Sequence, residues 1–240
     1  MLKIAIIGYG KMGHEIEAIA LDRGHSIVLK IDASNQPDLS ESNLKNVDVA
    51  IEFTSPHTAK QNVELCLSAG TPVVCGTTGW NDEAAKIIER VKAGEGTFFF
   101  ASNYSVGVNI FFKLNAMASK LLAKVGGYNV GIQETHHTQK LDAPSGTAIS
   151  IANAITAENP NLNGWTLVSD KVDGKIPIEA VREGTVPGTH IVNFESEQDQ
   201  IVLSHIAKSR RGFAIGAVLA AEFIAGKKGF YNMDNLLNFD

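Results

Sequence analysis

The chain has 240 residues, enough for one large domain or two small ones with a substantial core. Its formal net charge of -5, without a basic block, argues against nucleic-acid binding as a main role, because phosphate neutralisation needs clustered Lys and Arg. Two cysteines, Cys66 and Cys75, exclude a disulfide scaffold and favour a reducing, cytoplasmic environment. Neither a signal peptide nor a membrane-spanning segment is expected, since the apolar runs are short or interrupted.

The first part of the chain alternates predicted strands and helices. Strands are predicted at KIAII, SIVLKID, VDVAIEF, PVVCGTTG and GTFFFASN. Helices are predicted at HEIEAIALDRG, TAKQNVELCLSAG and NDEAAKIIERVKAG, the last with Asn81 as its N-cap. This unbroken alternation predicts a Rossmann-type, doubly wound parallel sheet of the α/β class.

The regular alternation of predicted strands and helices ends after Asn103. Long helices are predicted at NIFFKLNAMASKLLAKVG, SGTAISIANAITAEN and GFAIGAVLAAEFIAG, and strands at YNVGIQETHH, TLVSD, IPIEAVREG and THIVNFESEQDQIVLSHIA, with a hairpin turn at 198–200. We expect a dinucleotide-binding domain over 1–105 and 210–240, and an α+β substrate-binding domain over 106–209.

The stretch GYGKMG places Gly8, Gly10 and Gly13 in a G-x-G-x-x-G pattern between a predicted strand and a predicted helix. In that context the glycines allow a tight turn, approach of the backbone to a pyrophosphate, and close packing of helix on strand. The helix N-terminus adds N–H donors for phosphates. Asp32 ends the second strand, at the distance expected for the acid that binds a ribose 2′-hydroxyl. The loop therefore predicts a dinucleotide site.

The choice of dinucleotide depends on the residues around Asp32. Ala33 and Ser34 follow it, so the arginine that usually accepts a 2′-phosphate is absent there, which favours NADH. Lys11, inside the glycine loop, has a positive charge that would favour a 2′-phosphate, so NADPH stays an alternative cofactor. The stretches GTTG and ASNYSVGVN follow the fourth and fifth strands, at the sheet edge where such folds bind ligands.

The stretch QETHHTQKLDAPSGTA allows three interpretations: a metal site, a solvated loop, or a proton-donating and anion-binding site. Adjacent His136 and His137 point to opposite faces of a strand, and no Cys or close carboxylate completes a tetrahedral set, so no metal is expected. The third interpretation is favoured. His136 and Lys140 can handle protons, and Lys140 adds a positive charge.

The second half of the same stretch predicts a helix start. After a proline turn, the backbone N–H groups of Ser145, Gly146 and Thr147 open the predicted helix. A helix N-terminus of this kind suits a substrate carboxylate.

The stretch ETHHTQKLDAPSGTA, together with GYGKMG, GTTG, ASNYSVGVN and REGTVPGTH, resembles the dihydrodipicolinate reductase family of bacterial lysine and diaminopimelate synthesis, over essentially the whole chain. The resemblance implies reduction of 4-hydroxy-tetrahydrodipicolinate to tetrahydrodipicolinate with NADH or NADPH, in a cleft between a cofactor domain and a substrate domain. It also implies a homotetramer formed through sheets of the second domain. Ala33 and Gln139 depart from the family pattern, which has arginine and histidine there, and Ala33 puts an NADPH preference in doubt.

The resemblance also implies roles for individual residues. It implies that His136 and Lys140 are catalytic, with either as the proton donor, and that the substrate is bound by His137, Ser145, Gly146, Thr147 and Arg210, the last chosen by its spacing to Phe213. It implies that the cofactor is bound by Gly8, Tyr9, Gly10, Lys11, Met12, Gly13, Asp32, Gly76, Thr77, Thr78, Ala101, Ser102, Asn103 and Tyr104.

Two alternatives stay open. Another nicotinamide-dependent reductase of a small imino or oxo acid would share the glycine loop but need not carry the Pro-Ser-Gly-Thr turn. A non-catalytic dinucleotide sensor would have no reason to keep His136 and Lys140.

Overall fold

The computed structural model describes residues 1–170, 172–209 and 211–238. The chain divides into two compact units: Met1–Val106 with Arg211–Asp240, here called unit 1, and Gly107–Arg210, here called unit 2. The strands are β1 (Lys3–Ile7), β2 (Ser26–Ile31), β3 (Val49–Glu52), β4 (Val73–Cys75), β5 (Thr97–Phe100), β6 (Asn129–His136), β7 (Trp165–Leu167), β8 (Ile176–Arg182), β9 (Thr189–Glu195), β10 (Gln200–Ile206) and β11 (Gly229–Tyr231). The α-helices are α1 (Lys11–Asp22), α2 (Glu41–Leu44), α3 (Pro56–Ser68), α4 (Asn81–Lys92), α5 (Val106–Val125), α6 (Gly146–Glu158), α7 (Arg211–Ile224) and α8 (Met233–Leu237).

Unit 1 is built on a six-stranded sheet with the order β11-β5-β4-β3-β1-β2, and its strands pair in parallel. From β1 the chain continues to β2, which pairs with one side of β1, and then to β3, which pairs with the other side. The boundary between β1 and β3 is therefore a topological switch point, where open α/β sheets bind their ligands. The predicted Rossmann-type, doubly wound sheet is confirmed.

Alternate residues of β1 enter two separate cores. Ile4 and Ile6 pack in a core that includes side chains of α1 and α7, whereas Ala5 and Ile7 pack in a core that includes side chains of α3 and α4. Helices thus cover both faces, which explains why the strand sequence is a continuous apolar run rather than an alternating one.

The start of α4 differs from the prediction. Asn81 is the first residue of the helix, and Trp80 occupies the N-cap position without a side-chain cap. Trp80 is buried, and its indole N–H donates to the carbonyl oxygen of Thr77 at 2.7 Å. Burial of the large ring fixes where the helix begins, so the prediction of Asn81 as the cap was wrong.

Unit 2 is built on a five-stranded mixed sheet with the order β10-β9-β6-β8-β7. The central strand β6 pairs antiparallel with β9 and parallel with β8, and β9 and β10 form the predicted hairpin. The core of this unit joins apolar side chains of β6, β8 and β9 to side chains of α5 and α6, such as Phe111 and Ile151. In the described ranges, every helix is too short or too polar to cross a lipid bilayer.

Candidate active site

In unit 1, the glycine loop after β1 opens a cleft at the carboxyl edge of the sheet. The cleft has a volume of about 380 Å³ and lies among the loops that follow β1, β3 and β4. Several residues predicted to bind the cofactor are brought together in its walls, namely Gly8, Gly10, Lys11, Met12, Gly76, Thr77 and Thr78.

Each glycine of this loop faces different surroundings. A Cβ added to Gly8 would lie 2.0 Å from the carbonyl oxygen of Phe53, and the φ of Gly8 is +98°. A Cβ on Gly13 would lie 2.7 Å from the Gly8 carbonyl oxygen and 3.3 Å from the Ile6 side chain. A Cβ on Gly10 would meet no heavy atom of the described chain within 4 Å. The first and third glycines therefore fit the turn and the packing of α1 on β1, and the second faces the open space that a pyrophosphate needs.

Asp32 lies just after β2 and is exposed. Its carboxylate accepts hydrogen bonds from the backbone N–H of Ser34 at 2.7 Å and from the Ser34 hydroxyl at 2.6 Å, and these bonds lower the pKa of Asp32. Lys30, two residues earlier, forms an ion pair with Glu17 and lies 4.8 Å from the centre of the Tyr9 ring. Asp32 is thus a fixed anionic acceptor, and a carboxylate balances the charge of the neighbouring lysine.

The fully buried carboxylate of Glu52 connects two loops of the cleft. Glu52 ends β3 and accepts hydrogen bonds from the hydroxyls of Thr54 and Thr77, the second at 2.8 Å, and from the Cys75 thiol at 2.9 Å. The Thr77 hydroxyl oxygen also accepts the backbone N–H of Thr54 at 2.8 Å. Sequence reasoning missed Glu52, although a charged residue in the apolar run VAIEF was an available signal.

The segment from Ala101 to Tyr104 follows β5 and so begins at the same carboxyl edge of the sheet. The Tyr104 side chain is buried, and its hydroxyl donates to the carbonyl oxygen of Cys75 at 2.8 Å. The Asn103 side-chain oxygen accepts the backbone N–H of Ser105 at 2.9 Å. Because the Tyr104 ring is enclosed, a cofactor contact at this residue would involve its backbone. The cofactor roles of Ala101, Ser102, Asn103 and Tyr104 stay predictions.

In unit 2, β6 carries the histidine motif with Glu134 and His136 on its buried face. One Glu134 oxygen pairs with Nδ1 of His136. The other oxygen accepts from Nη2 of Arg182 at 2.9 Å and from the backbone N–H of Ser145 at 3.1 Å. Burial acts to raise the pKa of Glu134, but the hydrogen bonds from His136 and Arg182 outweigh it and hold that pKa below its usual value. Glu134 is therefore an ionised, buried carboxylate beside a predicted catalytic residue.

Lys140 lies in the segment that follows β6. Its Nζ contacts both carboxylate oxygens of Asp142, at 2.8 and 2.9 Å, and this contact lowers the pKa of Asp142. Arg182 donates to the carbonyl oxygens of Lys140 at 3.3 Å and of Asp142 at 2.6 Å. Because Arg182 also binds Glu134, one guanidinium joins His136 and the Lys140 segment in a single network.

A second buried histidine, His190, lies beside this network, with its ring centre 5.2 Å from that of His136. Its Nε2 and the Ser145 hydroxyl are 3.3 Å apart, and within the described residues its buried Nδ1 has no hydrogen-bond partner. Burial lowers the pKa of His190 to about 4, and repulsion by His136 adds to the shift. His190 is therefore a neutral ring at physiological pH.

Glu134, His136 and His190 also form a group whose possible ligand atoms all lie within 4.8 Å of one another. The premise that no carboxylate lies close to the histidines was therefore wrong. Both Glu134 oxygens already accept hydrogen bonds, one of them from a guanidinium, so the cluster has the character of a hydrogen-bond network. Strand alternation was the available signal for Glu134, since it lies two residues before His136 and shares its face.

The start of α6 is capped by Ser145, whose hydroxyl oxygen accepts the backbone N–H of Ala148 at 3.2 Å. The Ser145 backbone N–H, expected to face the substrate, is instead donated to Glu134. A Cβ on Gly146 would meet no heavy atom of the described ranges within 4 Å. The predicted anion site at this helix start therefore loses the Ser145 amide, and the substrate-binding roles of Gly146 and Thr147 stay predictions.

Two other residues were predicted to bind substrate. His137 follows β6 and is half-buried, and in the part of the chain that the structure describes its Nδ1 has no hydrogen-bond partner. Arg210 lies outside the described residues.

Comparison with known proteins gives consistent similarities over both units. Family models described as "Dihydrodipicolinate reductase, N-terminus" and "Dihydrodipicolinate reductase, C-terminus" match residues 2–104 and 107–237. A 4-hydroxy-tetrahydrodipicolinate reductase of Christiangramia forsetii is 46% identical over 240 residues, covering 99% of this chain and 98% of the relative. A 4-hydroxy-tetrahydrodipicolinate reductase of Ralstonia nicotianae is 37% identical over 268 residues, with 98% and 99% covered.

Among solved structures, the chain is similar to a dipicolinate-bound dihydrodipicolinate reductase from Paenisporosarcina sp. TG-14. The TM-score is 0.81 at 26% sequence identity, and the match covers 98% of this chain and 99% of the other.

Proposed function

The chain belongs to the dihydrodipicolinate reductase family, and from this premise we propose how its residues reduce 4-hydroxy-tetrahydrodipicolinate to tetrahydrodipicolinate. It is an oxidoreductase of lysine biosynthesis with a nicotinamide cofactor and a Rossmann-type N-terminal domain. The observation that carries the proposed residue roles is the unit 2 network, in which Glu134 and Arg182 bring together His136 and the Lys140 segment.

The cofactor residues are proposed from their fit to a dinucleotide. The turn at Gly8, the open space at Gly10 and the start of α1 suit a pyrophosphate. The loop from Gly76 to Thr78, held by Glu52, lines the same cleft. When bound, the nicotinamide group supplies hydride.

We assign the proton chemistry to unit 2. Net reduction loses water and takes up a hydride and a proton, and a positioned acid must supply that proton as electron density moves towards the ring nitrogen. His136 and Lys140 are the two groups proposed to hold and deliver it. The two substrate carboxylates need separate anchors, for which we propose the α6 start at Gly146 and Thr147, and the side chains of His137 and Arg210.

A coupled assay tests the activity. Aspartate semialdehyde, pyruvate and the preceding synthase are supplied, and oxidation of NADH is followed by absorbance. The Lys140→Ala variant should lower kcat on the order of 100-fold while changing the dissociation constant of NADH little. Lys124→Ala, an exposed change at the end of α5, is the matched control. Absence of cofactor oxidation by the wild type would favour the alternative reductase or the sensor, and near-normal turnover of Lys140→Ala would remove Lys140 from the mechanism.

We propose that NADH is the preferred cofactor. Asp32 presents a carboxylate, Ala33 offers no positive charge, and Lys30 is paired with Glu17, so a 2′-phosphate would meet repulsion. The ratio of kcat/KM for NADH to that for NADPH should exceed one, and Ala33→Arg should lower it. A higher kcat/KM with NADPH in the wild type would contradict the proposal.

We propose a homotetramer assembled through the sheet of unit 2. The hairpin strand β10 forms an edge of that sheet and exposes Val202 and Ile206 on one face and Ile201 on the other, apolar side chains that association would bury. Sedimentation equilibrium should give about four times the chain mass of 25.7 kDa. A mass equal to that of one chain would exclude this assembly.

We propose a cytoplasmic location from the state of the cysteines. Cys66 and Cys75 are both free and buried, and burial together with Glu52 raises the pKa of each thiol. Reduced, protonated thiols suit a reducing compartment. Detection of the protein in the periplasmic or secreted fraction would contradict it.

A further inference from the structure

We propose that Glu134 is a positioning residue that fixes the His136 ring so that Nε2 exchanges the proton, and that holds the Lys140 segment in place through Arg182. The inference rests on the proposed role of His136 as a proton-handling group. Glu134 itself does not touch the substrate, but it determines which nitrogen of His136 exchanges the proton.

Glu134 is buried among hydrogen-bond donors. Its side chain is 0% exposed, yet it is a carboxylate, and a buried carboxylate is costly unless donors surround it. Three donors converge on it from different elements: the His136 ring on β6, the Arg182 guanidinium on β8, and the Ser145 backbone N–H before α6. Such an arrangement holds the position of each donor relative to the others.

The contact with Glu134 determines the tautomer of His136. An ionised carboxylate can only accept, so Nδ1 of His136 must carry a hydrogen to bind Glu134. In the neutral ring Nε2 then has no hydrogen and gains and loses the proton. A Cβ on Gly188 would lie 3.0 Å from Nε2, so the glycine leaves room beside the reactive nitrogen.

Arg182 links Glu134 to the segment that carries Lys140. Arg182 contacts the second Glu134 oxygen at 2.9 Å and also donates to the carbonyl oxygens of Lys140 and Asp142. Because the Lys140 Nζ is held by Asp142 within the same short segment, the position of the guanidinium sets the position of both partners. Glu134 therefore orients both groups proposed to handle protons.

The variant Glu134→Gln removes the negative charge and the acceptor that faces His136, while the shape of the side chain stays nearly the same. Its single carbonyl oxygen will face the two donors Arg182 and Ser145, which leaves the amide NH2 facing Nδ1 of His136. Nδ1 must then accept, so the hydrogen of the neutral ring moves to Nε2. We expect kcat to fall on the order of 100-fold or more, with a smaller change in KM and no change in NADH dissociation constant.

The test combines kinetics with histidine NMR on the full-length protein. The ring 15N and 13C shifts of labelled histidine report the tautomer, and a His136→Gln spectrum assigns the signals. The wild type should show hydrogen on Nδ1 of neutral His136, Glu134→Gln should show it on Nε2, and Glu134→Asp should restore Nδ1 and part of kcat. Glu179→Gln is the matched control, because Glu179 is exposed on β8 and contacts Gln133 on the other face.

The outcomes distinguish this inference from the proposed function. A wild-type spectrum with hydrogen on Nε2, or an unchanged tautomer in folded Glu134→Gln, would overturn the positioning role. A changed tautomer with normal kcat would support the positioning role and overturn the proposed role of His136. If Glu134→Gln does not fold, the wild-type and Glu134→Asp spectra still decide which nitrogen carries the hydrogen.

Discussion

The same added methyl group should affect stability at one glycine of the loop after β1 and cofactor binding at another. Gly8→Ala forces a Cβ to within 2.0 Å of the Phe53 carbonyl oxygen, at a φ of +98°. We expect it to lower the free energy of unfolding by about 3 kcal/mol. Gly10→Ala places its Cβ where no described heavy atom lies within 4 Å, so the fold should be retained, but the methyl group would occupy the space proposed for the pyrophosphate.

Urea unfolding and titration of NADH fluorescence check this pair. Gly10→Ala should raise the dissociation constant of NADH by about 10-fold, equivalent to about 1.4 kcal/mol, with an unchanged unfolding midpoint. Equal unfolding midpoints for Gly8→Ala and the wild type would contradict the steric argument. Tight NADH binding by Gly10→Ala would show that the pyrophosphate does not approach this glycine.

At the level of residues, the sequence predicts the groups that meet a ligand better than those that support them. His136 and the glycine loop belong to local patterns that a single stretch contains. Glu134 and Glu52 give only a local hint of burial, because the partners that define their roles are distant: Arg182 is 48 residues from Glu134, and Thr77 is 25 residues from Glu52. A buried carboxylate becomes interpretable only when the fold brings its donors to it.

Among the elements, helix α6 depends on its cap. Ser145→Ala removes the acceptor of the Ala148 backbone N–H and the contact with His190, and should lower the free energy of unfolding by about 1 kcal/mol. Ser150→Ala is the control within the same helix, because the Ser150 hydroxyl donates to the Gly146 carbonyl oxygen one turn earlier and does not cap the helix. Alanine is the better helix former there, so Ser150→Ala should be neutral or slightly stabilising. Equal losses in urea unfolding for both variants would contradict the cap argument.

The long, periodic elements of this chain were predictable from the sequence, whereas β11 and α8, two short elements near its end, were not. Strand β6 follows a strict alternation of buried and less buried positions, and α5 extends over 20 residues. Strand β11 has only 3 residues and exists because it pairs in parallel with β5, at the far end of the unit 1 sheet. Helix α8 has 5 residues and is set by a capping box at Asn232. Neither length provides enough residues for a period to be seen.

For the whole molecule, the fold class of each unit could be predicted from the sequence, but the order of strands in the unit 2 sheet could not. Alternating strands and helices imply a parallel sheet with helices on both faces, as unit 1 shows. In unit 2, the hairpin of β9 and β10 is local and was predicted, whereas β6 lies between β9 and β8, with partners of opposite direction. That arrangement is determined by the core that forms against α5 and α6, which no single segment reveals.

The stability of the whole molecule should fall with acidification in a window set by His190. Burial holds the pKa of this histidine at about 4, below the usual 6.5, so between these values the unfolded chain binds a proton that the folded chain does not. The stabilisation is complete above pH 6.5 and is lost as pH falls towards 4, by about 3 kcal/mol in total. The free energy of unfolding, measured by urea from pH 7.5 to 4.5, should decline in this window.

His190→Gln should make that decline less steep, because it removes the contribution of His190, even if the variant is less stable at every pH; His205, whose pKa is also lowered by burial, keeps part of the slope. His57→Gln provides the control, since His57 is exposed on α3 and its ring meets water in the folded and the unfolded chain. The comparison uses the slope of stability against pH rather than its absolute value, so a packing defect caused by the smaller side chain does not affect it. Equal slopes for His190→Gln and the wild type would mean that His190 is not the buried neutral ring that this network requires.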